Sequence, residues 1–299
     1  MVESRASLLR DGKFLPVSLV VLSIVALWYI MAIVLNTPWQ KDVYERAGQS
    51  EVGIVQHIKD TWAQERPVLP SPHQVGQEIW NTTVEKKVTS KRSLIYHAKI
   101  TLSSSMLGFL LGTLLGIVLA VVIVYNRALN KSLLPWIIAS QTIPILAIAP
   151  MIIVVLNAIG IQGLLPKAFI SMYLSFFPIV VGMVKGLTSP DSSHLDLLHT
   201  YNASAVQSFW KLRLPSSLPF LFTSMKIAVA ISLVGAIVAE LPTGAVAGLG
   251  ARLLAGSYYG QTIQIWSALI VASVLAAGLV SLIGFLGRIV NYRMGLTDA

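Results

Sequence analysis

The chain has 299 residues, of which 55% are hydrophobic and only 12% charged, with a mean hydropathy of +0.73, whereas about a quarter of a soluble domain is normally charged. Its net charge of +9 does not argue for nucleic acid, because the basic residues flank apolar stretches and form no cluster with stacking aromatics. The lack of cysteine excludes disulfides and thiolate metal sites, and His57, His73, His97, His194 and His199 are scattered without paired carboxylates or metal-ligand spacing.

The first apolar stretch, residues 14–35, carries no charge. It is too long for a signal-peptide core and lacks a small-residue cleavage signature, so it reads as a retained span. Residues 36–97 are polar and include the turn-like run Leu69-Pro70-Ser71-Pro72. No window there is charge-poor enough to cross a bilayer, which predicts an extramembrane loop with short surface helices. Five further spans follow at 98–124, 133–157, 163–187, 218–241 and 262–289, each near or above the ~20 apolar residues a crossing needs. The runs are continuous, unlike the alternating segments of a membrane β-barrel. The expectation is an all-α integral membrane protein with six transmembrane helices. Its parts are the N-terminus with the first helix (1–35), an extracytoplasmic loop (36–97) and a core (98–299).

An even number of spans puts both termini on one side. With that side cytoplasmic, Arg127, Lys131, Lys185, Lys211, Arg213, Arg288 and Arg293 lie inside, and the short outer loops hold only Lys167 and Arg252. This satisfies the positive-inside rule, while the long loop, basic as it is, translocates largely regardless of charge.

In the second span Ser104, Gly108, Gly112, Gly116 and Ala120 recur at every fourth position, a stripe that lets another helix approach closely. Packing within the chain is the expected use and a dimer contact the alternative. The sixth span has a similar face of Ser273, Ala277 and Ser281. The third and fourth spans contain Pro135, Pro144, Pro150, Pro166 and Pro178. Interior proline removes a helix hydrogen bond, which a membrane helix tolerates where protein groups or cavity water satisfy the freed carbonyl. Gln141, Thr142, Pro144 and Asn157 are therefore candidates for a translocation pathway, or for a kink that serves packing. Glu240, the sole acid between Asp196 and Asp298, ends the fifth span, where the helix dipole disfavours an anion. It is expected to pair with a cation, Arg252 in the next short outer loop, with Lys167 in the other, or else to serve as a gate or solute contact.

Residues 188–217, between the fourth and fifth spans, are too polar to cross the bilayer. Leu195, Leu198, Tyr201, Ala205, Phe209 and Leu212 recur at three- and four-residue steps, as on an amphipathic helix. Asn202 interrupts them, and Asn readily takes the left-handed conformation. A short helix, a turn at Asn202-Ala203 and a second short helix stopping at Pro215 are predicted, with Tyr201, Phe209 and Trp210 exposed and Ser204 part of the same segment.

This segment resembles the cytoplasmic motif E-A-A-x3-G-x9-I-x-L-P of permeases of binding-protein-dependent ABC importers. Asp196-Leu197-Leu198, Asn202, Leu212, Leu214 and Pro215 match its spacing without a gap, with Asp for Glu, Leu-Leu for Ala-Ala and Asn for Gly. Gln141-Thr-Ile-Pro144, Phe176-Phe-Pro-Ile179 and Val234-Gly-Ala-Ile-Val-Ala-Glu-Leu241 are similar to the branch that imports nitrate, sulfonates, taurine, bicarbonate or thiamin-precursor pyrimidines. The resemblance covers about residues 69–290. It implies a type I importer permease in the bacterial inner membrane, surrounded by lipid and paired with a second copy or a paralogue. It also implies a periplasmic solute-binding protein and a dimer of separate ATPase subunits that holds ATP and Mg. The chain has no G-x-x-x-x-G-K-[ST] loop of its own. A secondary transporter driven by an ion gradient is the alternative, although internal repeats and intramembrane ion-coupling groups are not evident. No span offers a charged pocket by its sequence, so the solute is left open.

Overall fold

The computed structural model describes residues 14–49, 52–241 and 247–295. Among these, every regular element is helical. They divide into two compact units, residues 1–87 with 253–268 and residues 88–252 with 269–299.

In the first unit α1 runs Phe14–Arg46, well past the end predicted at Leu35. Polarity ends the apolar stretch without ending the helix. Pro38 removes a single ladder bond, and Thr37 Oγ1 bonds back to Ile33 O at 2.7 Å. The loop after α1 contains α2 (Ile54–Trp62), α3 (Pro72–Trp80) and a π-type turn (Asn81–Glu85). Asn36, fully buried on α1, organises it. Its amide nitrogen donates to Thr61 O (3.1 Å) and Leu69 O (2.9 Å), and its oxygen accepts from the N–H groups of Val68 (2.8 Å) and Leu69 (3.1 Å). Ser71 hydrogen-bonds to Trp62 O at 2.8 Å and its N–H to Gln74 Oε1 at 3.1 Å, while Pro72 supplies the fixed φ suited to a first helical turn.

The second unit is built on α4 (Leu94–Tyr125), α7 (Leu164–Leu187) and α10 (Leu214–Glu240). The small-residue stripe of α4 packs on α7. A Cβ added at Gly108 would stand 2.3 Å from Ser171 Cβ, and one at Gly116 would stand 2.7 Å from Ile179 Cβ. The contact is thus within the chain, as expected. The comparable face of α12 (Thr262–Arg293) differs: Ser273, Ala277 and Ser281 are exposed. Phe109, Ile179, Met183, Leu221, Val229 and Ile283 form the main apolar core between these helices.

The third predicted span is apolar enough as a pair of helices taken together, but it is not one straight rod. It is two helices, α5 (Arg127–Ser140) and α6 (Ile145–Ala158), bent by 97° across Gln141–Pro144. At 14 residues each, either one is about 21 Å long, short of the ~30 Å hydrocarbon core. Hydroxyl groups donate to carbonyls at the break: Ser140 Oγ to Ile137 O at 2.7 Å, Thr142 Oγ1 to Ala139 O at 2.8 Å, and Tyr173 OH to Ser140 O. Among the described residues, five other helices are long and apolar enough to cross a membrane.

Candidate functional site: the segment between α7 and α10

After α7 the chain forms α8 (Ser192–Thr200), none of whose residues is buried. It ends in a left-handed cap. Asn202 has φ 54°, the one positive φ outside glycine among the described residues. Ala203 N–H bonds to Leu198 O (3.0 Å) and Asn202 N–H to His199 O (2.9 Å), the paired bonds of a Schellman end. The next helix starts with a capping box: Ser204 Oγ accepts from Gln207 N–H at 3.3 Å and Gln207 Oε1 accepts from Ser204 N–H at 2.9 Å. That helix, α9 (Ala205–Ser208), does not stop at Pro215 as predicted. A π-type turn (Phe209–Arg213) joins it to α10, so the chain is helical from Ala205 to Glu240. Pro215 is the second residue of α10 and follows directly on the π-type turn, inside this continuous helical stretch.

The turn between α8 and α9 carries an apolar surface. Leu197 is 55% exposed, Tyr201 78%, Val206 66% and Trp210 63%, and Asp196 is exposed beside them. Phe209 departs from expectation: it faces inward, edge-on to Tyr125 at 6.0 Å, and packs with Leu214 on the core. The ring gains burial there against Tyr125 and the neighbouring Trp210, which favours the inward position of an apolar side chain. Leu198 and Ala203 are half-buried.

Sequence reasoning did not single out Arg213, which seats this segment. Its guanidinium donates to Leu187 O at 2.9 Å, at the C-terminus of α7, and lies 6.0 Å from the ring of Tyr125, the last residue of α4. A cation there meets the negative end of the α7 dipole, and one residue ties three helix ends together. Its place in the motif, between Leu212 and Leu214, was the available signal.

The pathway candidates are not brought together. Gln141, Thr142 and Pro144 form the break between α5 and α6, and Asn157 is exposed in the last turn of α6. Glu240 is completely buried at the end of α10. Thr101 Oγ1 donates to its carboxylate at 2.9 Å, and Gly250 N–H does so at 2.9 Å. The cation beside it is Lys167, with Nζ 3.9 Å from Oε1, where Arg252 was expected. Around it, Leu249 N–H bonds to Thr101 Oγ1 (2.8 Å) and Gly248 N–H to His97 Nδ1 (3.0 Å). The His97 ring thus accepts at Nδ1 and donates from Nε2 to Lys91 O at 2.9 Å. The node clamps residues 247–250 onto α4 and α10. It requires glycine at 248, where φ is 132° and a Cβ would stand 2.1 Å from Glu240 Cδ.

An open groove of about 640 Å³ runs between α7 and α10. Pro178, Lys185, Pro219, Phe220, Thr223 and Ile227 contribute to its lining, and Lys185 Nζ lies 5.8 Å from the Phe220 ring centre. Below it the two helices touch, for a Cβ at Gly182 would meet Ser224 Oγ at 1.7 Å.

Residues 112–296 match the family described as the binding-protein-dependent transport system inner membrane component. Among curated relatives, the riboflavin transport system permease protein of Chloroflexus aurantiacus is 35% identical over 74% of this chain and 79% of its own length. The formylaminopyrimidine transport permease protein of Halalkalibacterium halodurans is 30% identical over 61% and 68%. Among solved structures, a chain of the MetNI methionine ABC transporter in an inward-facing conformation shares the fold, with TM-score 0.57 and 21% identity over 69% of this chain and 96% of that one.

Proposed function

The chain belongs to the binding-protein-dependent inner-membrane transport family and is the multi-pass permease subunit of an ABC importer, and we propose that the segment Leu195–Trp210 couples it to ATPase subunits carried on separate chains. The observation that carries this reading is the exposed surface of Leu197, Tyr201, Val206 and Trp210 on a capped double helix. Aromatic anchors held on a rigid frame suit a groove on a partner, where few residues supply most of the binding energy. ATP and Mg are then held by the partner, a dimer of ATPases that engages one such segment from each of two permeases.

Force applied to α8 and α9 has a short route inward. Arg213 links the segment to the ends of α4 and α7, and the helix continues without a break into α10. ATP-driven motion would thereby tilt α10 against α7 and alter the groove between them. A change of state requires contacts that differ between the two states, and the grip of the ATPase on this segment supplies them. The second permease is another copy or a paralogue, and a solute-binding protein delivers cargo on the outer side, with both termini cytoplasmic. Relatives named for riboflavin and for formylaminopyrimidine select no single solute.

The test is co-purification of the ATPase with the permease, alongside ATP hydrolysis in proteoliposomes. Trp210→Ala and Tyr201→Ala should each weaken association by about 2 kcal/mol, the scale of an interface hot spot, while membrane insertion is retained. Wild-type assembly and hydrolysis in the double variant would remove the coupling assignment. An uptake that persists without the ATPase and collapses with the proton gradient would instead favour a secondary transporter.

A further inference from the structure

α10 buries most of its circumference against its own chain, through residues such as Leu221, Ala228, Val229, Leu233 and Ala236. What stays exposed is a stripe at helical spacing: Thr223, Lys226, Ile227 and Val234. Lys226 falls in the middle of the span. It lies roughly 18 Å from Leu214 (12 residues) and 21 Å from Glu240 (14 residues) at 1.5 Å per residue. Snorkelling serves lysines near helix ends, and Lys226 is near neither. Its side chain also runs sideways. Cε lies 3.3 Å and Nζ 3.8 Å from the point that a Cβ on Gly284 of α12 would occupy, so the stem crosses towards α12 over a glycine and not along the axis towards a headgroup.

Charge is the second observation. Between Asp196 and Asp298 the sole acid is Glu240, and it is enclosed with Thr101, the Gly250 N–H and Lys167 at the far end of α10. The spans of this chain therefore offer Lys226 no carboxylate at its depth, and a second identical copy would add only another lysine. An ammonium at mid-bilayer depth is tolerated facing a water-filled cavity or paired with an anion. Lipid at this depth provides neither. In a permease, the wet region at that depth is the solute pathway, so a role for Lys226 there rests on the permease reading.

We propose that Lys226 lines the solute pathway at mid-membrane and pairs in passing with the solute, which is a small anion. Thr223, one turn away on the same stripe, lines the groove between α7 and α10, so the groove and the cation share one wall of the pathway.

The test exploits the absence of cysteine. Thr223→Cys is introduced into the permease assembled with its ATPase in inside-out membrane vesicles, and modification rates are measured with sulfonatoethyl (anionic) and trimethylammonioethyl (cationic) methanethiosulfonate. With Lys226 present, the ratio of anionic to cationic rate should exceed that in the Lys226→Gln background by about tenfold, at the lower end of electrostatic focusing in a cleft. Lys226→Arg should restore it. Ala230→Cys serves as a second reporter if Thr223→Cys fails to assemble. Protection of both cysteines from both reagents would show that the stripe meets lipid or protein, and would overturn the proposal. So would a ratio indifferent to Lys226→Gln, the result expected if a carboxylate of a paralogous partner neutralised the lysine. Either failure would leave ATPase co-purification intact, which separates it from a failure of the permease reading.

Discussion

Two buried polar side chains hold this protein's irregular segments, and each makes a prediction. Asn36 satisfies four backbone groups of the loop after α1. Asn36→Leu would leave those groups without partners in a buried place, at about 1–3 kcal/mol for each unsatisfied group. A clear fall in the thermal unfolding midpoint of the detergent-purified permease is expected, and an unchanged midpoint would show that water replaces the amide. Glu240, together with Thr101 and His97, does the same for residues 248–250. Glu240→Ala removes the acceptor of the Gly250 N–H and the carboxylate beside Thr101 and Lys167 and should cost about 2 kcal/mol or more. Glu240→Gln keeps an acceptor for Gly250 and should cost less, so the order of the two midpoints is the check. Neither knot is legible in the sequence. Asn36 reads there only as the first residue of a polar loop, and the cation nearest Glu240 in sequence is Arg252, whereas folding brings Lys167 there from the start of α7.

Helix pairs and helix ends carry the next set of predictions. The α4–α7 contact depends on missing side chains: a Cβ at Gly108 would lie 2.6 Å from Ala168 O, a backbone atom that cannot swing aside. Gly108→Leu should therefore separate the helices and abolish stable expression, whereas Gly278→Leu, which meets nothing within 4 Å in the same unit, should be tolerated. Immunoblots of membranes against a thermal aggregation curve would tell the two apart. At the α8–α9 turn Asn202 holds φ 54°. Gly takes that conformation without a Cβ penalty and Val is an outlier there. Asn202→Gly should keep ATPase co-purification, Asn202→Val should lose it, and equal behaviour of the two would detach the turn geometry from coupling. This turn was readable because its signal is local: an Asn at a break in an apolar period. The π-type turn at Phe209–Arg213 was not, because it conserves helical periodicity closely enough to pass for a short helix ahead of a proline.

At the scale of the whole chain, the prediction is topology. Ser71, in the turn-like run before α3, is fully buried, whereas Gln77 on α3 is exposed, so Gln77→Cys is the outer reporter. An impermeant maleimide applied to intact cells should label Gln77→Cys and spare Ser192→Cys, and the reverse pattern would invert the orientation. The assignment of residues 36–97 to the outer side and 188–217 to the cytoplasm stands on that result.

Composition and hydrophobic run length by themselves determined that this is a helical membrane protein, because the cost of exposing backbone and charge to hydrocarbon is read residue by residue along the chain. Motif spacing determined the family and the place of the α8–α9 segment, since a turn between two short helices is specified by neighbours in sequence. Tertiary structure decided the rest. It broke the third span at Gln141–Pro144, where Tyr173 of α7 supplies one of the hydrogen bonds that the bend requires. It turned Phe209 inward and enclosed Glu240. It also showed that Lys226, plainly visible in the fifth span, is left on the exposed side of its helix. Those outcomes depend on which helix lies against which, and packing between residues far apart in sequence leaves no periodic trace in either of them.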